Sequence, residues 1–375
     1  MKINRRSFLK NTLVAGTMLA GTGSLISACS GFGRSDLPDH SHPERLTSQL
    51  DEARIAVLYH ASLAPSGHNS QPWYVRVKGR DEWIIGLDPT RRLPAVDPNN
   101  REALLSIGAF AENLAIAGRA FGLKSEMEVI AQDPVESDIL RVTLKAAAPK
   151  DYMLERIKKR MTVKHGYLPG EIRKEDVDAL GKPLMGRMFY FPTGTRHANC
   201  LLEGAIENFR IQAQRDDAQR ELVQWVRISN RDAERYRDGL TLEGMELRGF
   251  KGWFVRYFVQ PEDFMKASFR KQGIDQTATL ARQGGGWLVI TSCGSTVADL
   301  IETGRRFERM ALLARGRNIA IHPMTQSIEE ENGMNQIAAN HPPDMIPQFL
   351  LRVGYLKRYP EPVSLRRPVD WFVRS

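Results

Sequence analysis

The sequence predicts an α+β protein in which the order helix-strand-strand-helix-strand occurs twice along one chain. Its 375 residues are 42% hydrophobic and 26% charged, a composition that suits a globular chain and excludes a disordered or fibrous one. Apolar residues recur every three or four positions in some segments and alternate in others, which indicates helices and strands respectively. Because the order repeats between residues 45–150 and 151–375, we expect two half-domains that form an internal pseudo-dimer.

The first half-domain, residues 45–150, begins with a helix and closes with a strand. Small residues on its second helix, such as Gly108, would let another helix approach closely, and Gly122 is placed to end that helix. The predicted elements are a helix over 44–63, strands over 74–78 and 83–87, a helix over 100–121 and a strand over 139–144.

The second half-domain, residues 151–375, repeats this order around an insertion over 215–283 that is rich in charged and aromatic residues. An insertion of this length between core elements is typical of a lid or a partner surface, and a helical decoration is the alternative. Gly284, Gly285 and Gly286 then bend the chain into the next strand. The predicted elements are a helix over 151–161, a strand over 187–191, helices over 195–214 and 297–314, and strands over 287–291 and 348–355.

The N-terminus carries targeting features. Residues 1–28 combine a basic start with a short apolar stretch, and Arg5-Arg6-Ser7-Phe8-Leu9-Lys10 resembles the twin-arginine export signal. Ile26-Ser27-Ala28-Cys29 resembles a bacterial lipobox, which implies that Cys29 is lipidated. Residues 29–44 have no periodicity and suit a tether. We therefore expect the twin-arginine export machinery to be a partner. We also expect the protein to be a periplasmic or cell-envelope lipoprotein that is anchored at the membrane.

Charge and motif content exclude several function classes. The formal net charge is +9, of which Lys2, Arg5, Arg6 and Lys10 supply four, so the remaining basic excess is too diffuse to indicate nucleic-acid binding. Three scattered cysteines predict neither a disulfide framework nor a zinc site, and no metal site is expected. The sequence also lacks the His-Glu-x-x-His, Gly-x-Ser-x-Gly and phosphate-loop motifs of metallohydrolases, serine hydrolases and nucleotide triphosphatases.

The segment from Ala64 to Trp73 reads Ala-Pro-Ser-Gly-His-Asn-Ser-Gln-Pro-Trp, and its composition alone indicates a loop. Its order between a helix and a strand resembles the helix-to-strand loop of the nitroreductase flavoprotein superfamily, which contacts bound FMN. The resemblance implies that the cofactor is FMN and assigns cofactor contacts to Pro65, Ser66, Gly67, Asn69 and Gln71.

Other segments agree with this resemblance. Lys159-Arg160-Met161-Thr162-Val163-Lys164 resembles the superfamily's basic-hydroxyl-basic phosphate motif, and Leu365-Arg366-Arg367-Pro368 resembles its C-terminal tail. Guanidinium, ammonium and hydroxyl donors suit a phosphate dianion. His322 is followed by the residues that would stand where relatives place a backbone donor toward the flavin, although Thr325 and Gln326 replace the usual acidic residue and glycine. The resemblance implies cofactor contacts for Arg160, Thr162, Lys164, Pro323, Met324, Thr325, Gln326, Arg366 and Arg367.

The whole pattern, over residues 45–372, resembles the Acg family, in which two half-domains on one chain imitate a nitroreductase homodimer. The resemblance implies one complete site at the interface of the half-domains, because Arg45-Leu46-Thr47-Ser48-Gln49, the counterpart of the phosphate motif, lacks the second base. One FMN per chain is therefore expected. No residue is assigned a catalytic role.

The leading hypothesis is an exported FMN-dependent oxidoreductase that acts on an unknown small-molecule substrate or electron donor. The alternative is a flavin-sequestering protein without turnover, in which the 215–283 insertion covers the flavin ring. A surface lipoprotein that only binds a partner is a third hypothesis.

Overall fold

The computed structural model describes residues 33–39, 42–247, 249–340 and 346–374. The predicted export signal and Cys29 lie outside the described residues. The helices are α1 Pro43–Thr47, α2 Glu52–Ser62, α3 Arg101–Ala120, α4 Leu154–Lys159, α5 Lys174–Gly181, α6 Arg196–Gln214, α7 Asp216–Trp225, α8 Asn230–Tyr236, α9 Gly249–Phe258, α10 Ala267–Ala281, α11 Val297–Gly316, α12 Gln326–Glu329, α13 Glu331–Asn340 and α14 Val369–Phe372. The strands are β1 Trp73–Gly79, β2 Glu82–Leu87, β3 Leu123–Val129, β4 Asp138–Ala146, β5 Met188–Pro192, β6 Val226–Arg227, β7 Leu240–Thr241, β8 Gly286–Thr291, β9 Ile319–Pro323, β10 Pro347–Tyr355 and β11 Val373–Arg374.

The mixed helix and sheet architecture confirms the α+β prediction, and most predicted elements occur within a few residues of their expected bounds. The prediction of a single helix over 44–63 is wrong, because this segment forms two helices, α1 and α2, with an interruption between them. Asp51 has an extended backbone and its side chain accepts a hydrogen bond from the Arg54 amide at 3.0 Å, which begins α2 anew. Strands β3 and β9 and the terminal strand β11 were not predicted.

Two antiparallel sheets share one topology. The first runs β1-β2-β4-β3 and the second runs β5-β8-β10-β9, and a long helix, α3 or α11, follows the second strand of each set in the chain. In both sheets the first two strands of the chain are neighbours, the fourth strand pairs with the second, and the third strand lies at the edge. This supports the pseudo-dimer interpretation. β11 extends the first sheet by pairing in parallel with β1, so the C-terminal tail of the second half-domain is bound to the first.

α3 and α11 pack against each other at glycines. A Cβ at Gly108 would lie 2.2 Å from the Ile301 carbonyl oxygen, and one at Gly304 would lie 2.1 Å from the Leu105 carbonyl oxygen. Neither contact leaves room for a methyl group, so the absent side chains set the close approach of the helices. This confirms the expectation for Gly108. Gly122 follows α3 with a left-handed backbone at φ 77°, as its predicted role at the helix end requires.

The insertion over 215–283 forms α7 to α10 and the two-stranded β6-β7 ladder. Asp238, which is 2% exposed, holds it to the first half-domain by accepting hydrogen bonds from Arg91 Nη1 at 2.9 Å and from Arg227 Nε at 3.0 Å. Among the residues that the structure describes, no helix combines the length and the apolar character needed to cross a membrane.

The described part of the predicted tether contacts the folded body. Arg34 Nε donates to the Ser364 carbonyl oxygen at 3.1 Å, and the Asp39 carbonyl oxygen accepts from the Val369 amide at 3.0 Å. Arg237 Nη1 donates to the Pro38 carbonyl oxygen at 2.5 Å. Residues 33–39 are therefore attached along their length, which differs from the free tether that their composition predicts.

Candidate functional site

The loop between α2 and β1 has an unusual backbone. His68, Asn69 and Gln71 have left-handed φ angles of 50°, 52° and 52°, a region that few residues other than glycine adopt. Ser66 Oγ accepts a hydrogen bond from the Gln71 amide at 2.9 Å across the turn. Such backbone strain persists only where surrounding contacts enforce it, and it clusters at functional sites.

The contacts that enforce this loop come from distant segments. Asn69 Nδ2 lies 3.2 Å from the carbonyl oxygens of both Gly239 and Leu365. Gln71 is fully buried, and its Nε2 donates to the Arg237 carbonyl oxygen at 2.9 Å. The predicted flavin-contact loop is thus held between the insertion and the C-terminal tail.

The tail arginines direct most of their hydrogen bonds to this loop and to the end of α2. Arg366, 9% exposed, donates to the carbonyl oxygens of Ser62, Leu63 and Ala64 at 2.7, 3.1 and 3.1 Å, where α2 ends. Arg367 Nη2 donates to the carbonyl oxygens of Gln71 and Trp73, each at 2.7 Å. Both arginines hold the loop in place, a role that the resemblance does not include. Their contact with a phosphate stays a prediction.

Arg160 lies beside the same loop. It is 5% exposed, and its Nη2 donates to the Leu63 carbonyl oxygen at 3.1 Å. Its Nε lies 3.2 Å from Oε1 of the fully buried Glu308, yet finds no acceptor in hydrogen-bond geometry. Burial raises the pKa of Glu308, whereas the adjacent Arg160 charge lowers it. This leaves one buried donor of the predicted phosphate motif unused.

Lys164 lies near two histidines, His68 of the first half-domain and His322 of the second, and we call the place where these segments meet the recess. Burial and the Lys164 charge lower the pKa of His68 to about 4. Burial, Arg352 and then Lys164 hold the pKa of His322 well below its usual value. Burial lowers the pKa of Lys164 itself, and the Glu246 carboxylate opposes that shift. All three residues are half-buried, so they remain partly accessible to solvent. At neutral pH both imidazoles are uncharged.

Glu102 and the residues after β9 form a second polar group next to the loop. A Cβ at Gly67 would lie 3.3 Å from Glu102 Oε2, so the predicted flavin loop touches this carboxyl group. Thr325 Oγ1 donates to Glu329 Oε1 at 2.5 Å. Burial and then the Glu329 carboxylate raise the pKa of Glu102 to about 8. The recess therefore combines segments from both half-domains.

The residues predicted to place a backbone donor toward the flavin divide into two sets. Pro323 ends β9, and the amide of the buried Met324 donates to the Leu350 carbonyl oxygen at 2.9 Å, so that amide belongs to the sheet. Thr325 and Gln326 are half-buried and begin α12, so they lie outside the sheet.

The insertion contacts the segment that carries Lys164. Glu246 Oε1 accepts from the Lys164 amide at 2.7 Å, and Glu246 Oε2 lies 2.8 Å from His165 Nδ1. The insertion therefore contacts both the loop and the segment that carries Lys164. Thr162 is half-buried between Arg160 and Lys164 in the chain.

Several residues of the recess were not identified from sequence. His68 lies inside the recognised loop motif but has no role in it, and His322 precedes the recognised segment. Glu102 occupies the first turn of α3, where an acidic residue is ordinary because it complements the helix dipole. Glu329 carries no sequence signal at all. Among the described residues, no group of three or more His, Cys, Asp or Glu side chains could hold a metal ion.

Sequence comparisons find relatives over most of the chain. PigM of Serratia sp. (strain ATCC 39006), whose name describes a probable NAD(P)H nitroreductase, is 22% identical over 317 residues, which is 78% of this chain and 86% of PigM. The acg protein of Mycobacterium tuberculosis (strain H37Rv) is also named as an NAD(P)H nitroreductase by inference. It is 24% identical over 335 residues, which is 83% of this chain and 92% of acg. No family model matches the sequence.

Solved structures overlap less well. The crystal structure of a nitroreductase-like family protein from Bacillus cereus has a TM-score of 0.36 at 10% identity, over 61% of this chain and 98% of that one. An overlap at this level carries no argument about the site.

Proposed function

Because the chain is similar over most of its length to PigM and acg, we propose that it is a nitroreductase-like protein, and specifically an exported FMN-binding oxidoreductase with one FMN per chain in the recess between its half-domains. The observation that supports this best is the convergence of the strained loop with Lys164 and His322. The loop comes from the first half-domain and the other two residues come from the second, as a single cross-domain site requires.

The chemistry of the recess fits a flavin phosphate. Lys164 supplies a desolvated ammonium group and Thr162 a hydroxyl, and Arg160 supplies a buried guanidinium group whose Nε lies 3.2 Å from Glu308 Oε1 without forming a hydrogen bond. Charge-assisted hydrogen bonds from such donors contribute about 1.5–3 kcal/mol each. The neutral imidazoles of His68 and His322 add no positive charge, and Arg160 already lies beside Glu308, so the phosphate charge would be met mainly by Lys164. When bound, the flavin would supply one-electron or two-electron transfer, and the protein would supply orientation and electrostatics.

The chemical test is the visible absorption of the purified protein, with the released flavin identified and counted by chromatography. One FMN per chain is expected. Lys164→Ala should lower flavin retention because it removes the desolvated charge, whereas Lys159→Ala, which removes a 52% exposed ammonium group on the same segment, should not. A colourless protein, or two FMN per chain, would contradict the proposal.

The location proposal rests on the N-terminal sequence. Delivery by the twin-arginine export machinery and a lipid anchor at Cys29 would place the protein in the periplasm or cell envelope, bound to the membrane. Its reductant there would be a quinol, a thiol or a membrane electron carrier, since nicotinamide pools are cytoplasmic.

The insertion's contacts favour a second candidate function, a flavin-sequestering protein without turnover. Glu246 and Gly239 bind the two sides of the recess, so the insertion could exclude reductants from the ring. In that case a quinol or thiol should fail to bleach the flavin absorption while dithionite succeeds. Glu246→Ala should then admit the larger reductants, and Glu262→Ala, at an exposed position of the insertion, should not. Rapid bleaching of the unaltered protein by a quinol would exclude sequestration.

A further inference from the structure

α9 is a surface helix of the insertion that carries apolar side chains on two opposite faces. One face packs inward, since Val255 and the buried Val259, which directly follows the helix, belong to a hydrophobic cluster of the insertion. Gly252 is buried on the same side, and a Cβ there would lie 2.4 Å from the Leu247 carbonyl oxygen. The aliphatic face of α9 therefore holds the helix to the insertion.

The other face of α9 carries aromatic side chains. Residues four apart lie on one side of a helix, and Trp253 with Tyr257 and Phe254 with Phe258 are two such pairs. The ring centroids are 5.7 Å apart in the first pair and 5.2 Å apart in the second. The Trp253 and Phe258 rings, 5.5 Å apart, join the two pairs. The four rings form one continuous patch, which we call the aromatic face.

The aromatic face is open to solvent. Phe254, Tyr257 and Phe258 are 44%, 55% and 43% exposed. A contiguous exposed apolar patch marks a surface that docks onto something else, whereas single exposed apolar residues need no such explanation. A helix that is apolar all round is also typical of one that has an apolar phase on its outer side as well as its inner side.

The chemistry of this face suits the interface between lipid and water. Trp and Tyr combine an apolar ring with a polar group, and they concentrate where a membrane meets water. Lys251, in the first turn of α9, is exposed, and anionic lipid headgroups attract such a charge. The 10 residues of α9 extend about 15 Å. This is half of the hydrocarbon thickness of about 30 Å, so α9 would lie along the interface rather than cross it.

The N-terminal segment favours a membrane as the occupant. Cys29, the predicted lipidation site, precedes Gly33 by four residues, which extend at most about 14 Å. The segment that follows is attached to the insertion, because Arg237 Nη1 donates to the Pro38 carbonyl oxygen at 2.5 Å. Five residues after Arg237, Leu242 packs in the same hydrophobic cluster as α9. A lipid anchor at Cys29 would therefore hold the insertion close to the lipid surface.

We propose that the aromatic face of α9 docks onto the membrane, with its rings between the acyl chains and the lipid headgroups. This rests on the lipid anchor proposed at Cys29 and does not involve the flavin site. The anchor brings the protein to the membrane, and α9 determines which side of the insertion meets the lipid. A single short interfacial helix binds weakly and reversibly, so loss of the anchor still releases the protein during cell fractionation.

Vesicle partitioning of the full chain with Cys29→Ala tests the aromatic face without the anchor. This parent protein is sedimented with excess vesicles of phosphatidylethanolamine and phosphatidylglycerol, and the bound fraction gives a partition coefficient. Each exposed ring should contribute roughly tenfold to binding, so adding Phe254→Ala and Tyr257→Ala should weaken it about 100-fold. Tyr152→Ala removes a 45% exposed ring outside the insertion, and as the matched control it should bind like the parent.

Quenching of tryptophan fluorescence tests the placement of the rings. Lipids with bromine on their acyl chains should quench the fluorescence of the bound parent, and Trp253→Phe should bind but lose most of that quenching. Equal quenching in Trp253→Phe would overturn the proposal. So would an absence of vesicle binding, or binding that the double substitution leaves unchanged. A dimer that the double substitution dissociates, in a protein that does not bind vesicles, would assign the face to a second copy of the chain.

The anchor and the aromatic face can fail separately. Equal fractionation of the unaltered protein and Cys29→Ala would refute the anchor, and the vesicle experiment would still decide whether α9 binds lipid. Flavin content should be the same in the parent, the double variant and Tyr152→Ala. A colourless protein would therefore contradict the proposed flavin site and leave the docking of α9 to be decided by the vesicles.

Discussion

Arg366→Met should destabilise the protein itself, with or without bound flavin. The guanidinium group donates to Ser62, Leu63 and Ala64 at the end of α2, and also to Asn69 Oδ1 at 2.9 Å and to the Leu365 carbonyl oxygen at 2.8 Å. Its positive charge also suits the negative end of the α2 dipole. Methionine keeps much of the side-chain volume but makes none of these hydrogen bonds.

The expected loss follows from these contacts. Hydrogen bonds to a charged group contribute about 1.5–3 kcal/mol each, but contributions that share one group do not add. Arg366 is also buried at an energetic cost, because burial is the main cause of its lowered pKa. Leaving a buried acceptor unpaired costs about 1–3 kcal/mol, and because the cost of burying the charge is recovered, we expect a net loss of about that size.

Urea denaturation, followed by tryptophan fluorescence and circular dichroism, measures this loss. Arg358→Met, at an exposed position of the same terminal segment, is the control and should change the free energy of unfolding by less than about 0.5 kcal/mol. If Arg366→Met were as stable as Arg358→Met and only lost flavin, the structural role assigned to this guanidinium would be wrong, and phosphate binding would be its main role.

Further predictions concern packing, pH and export. Gly108→Ala should destabilise the protein by at least about 1–3 kcal/mol, since its Cβ would meet a backbone oxygen at 2.2 Å; thermal unfolding measures this. The pKa of Glu102 is about 8 when folded and about 4.5 when unfolded, so the folded state holds more protons between these values. The free energy of unfolding should therefore fall as the pH rises through this window, and Glu102→Gln should reduce that slope. Replacing Arg5 and Arg6 by lysine should retain the protein in the cytoplasm, and Cys29→Ala should release the exported form from the membrane, as cell fractionation would show.

A different result would contradict each of these three predictions. Gly79→Ala introduces a Cβ with no atom within 4 Å and should be tolerated, so an equal effect at both glycines would argue against the helix contact. An unaltered pH slope in Glu102→Gln would mean that another buried carboxyl group dominates. Unchanged fractionation of the N-terminal variants would remove the proposals on export and anchoring.

The fold was largely predictable because long helices carry strong periodic signals. α3, α6 and α11 each have an extended apolar face, and local sequence fixes their ends. β3 was missed although Leu123, Met127 and Val129 alternate with exposed Lys and Glu residues, since the alternation is interrupted by Ser125 and the strand lies at an edge.

The site was predictable only where its residues are consecutive. The loop motif is a run of neighbours, so a resemblance could find it. Glu102 and Glu329 meet only after folding, and neither has a distinctive neighbourhood in the chain. Arg366 illustrates a different limit, because a recognised motif names a residue type but does not determine whether its guanidinium group faces a ligand or a backbone carbonyl.

The strained loop and the covering insertion depend on the same contacts. Asn69 donates to Gly239, and Gln71 donates to the Arg237 carbonyl oxygen, so the insertion helps to enforce the left-handed backbone of the loop. Moving the insertion away to admit a large ligand would break these bonds and remove part of what maintains the strain. Arg367 would still hold Gln71 from the tail side. The strained backbone of the loop is therefore maintained from two sides, by the insertion and by the C-terminal tail.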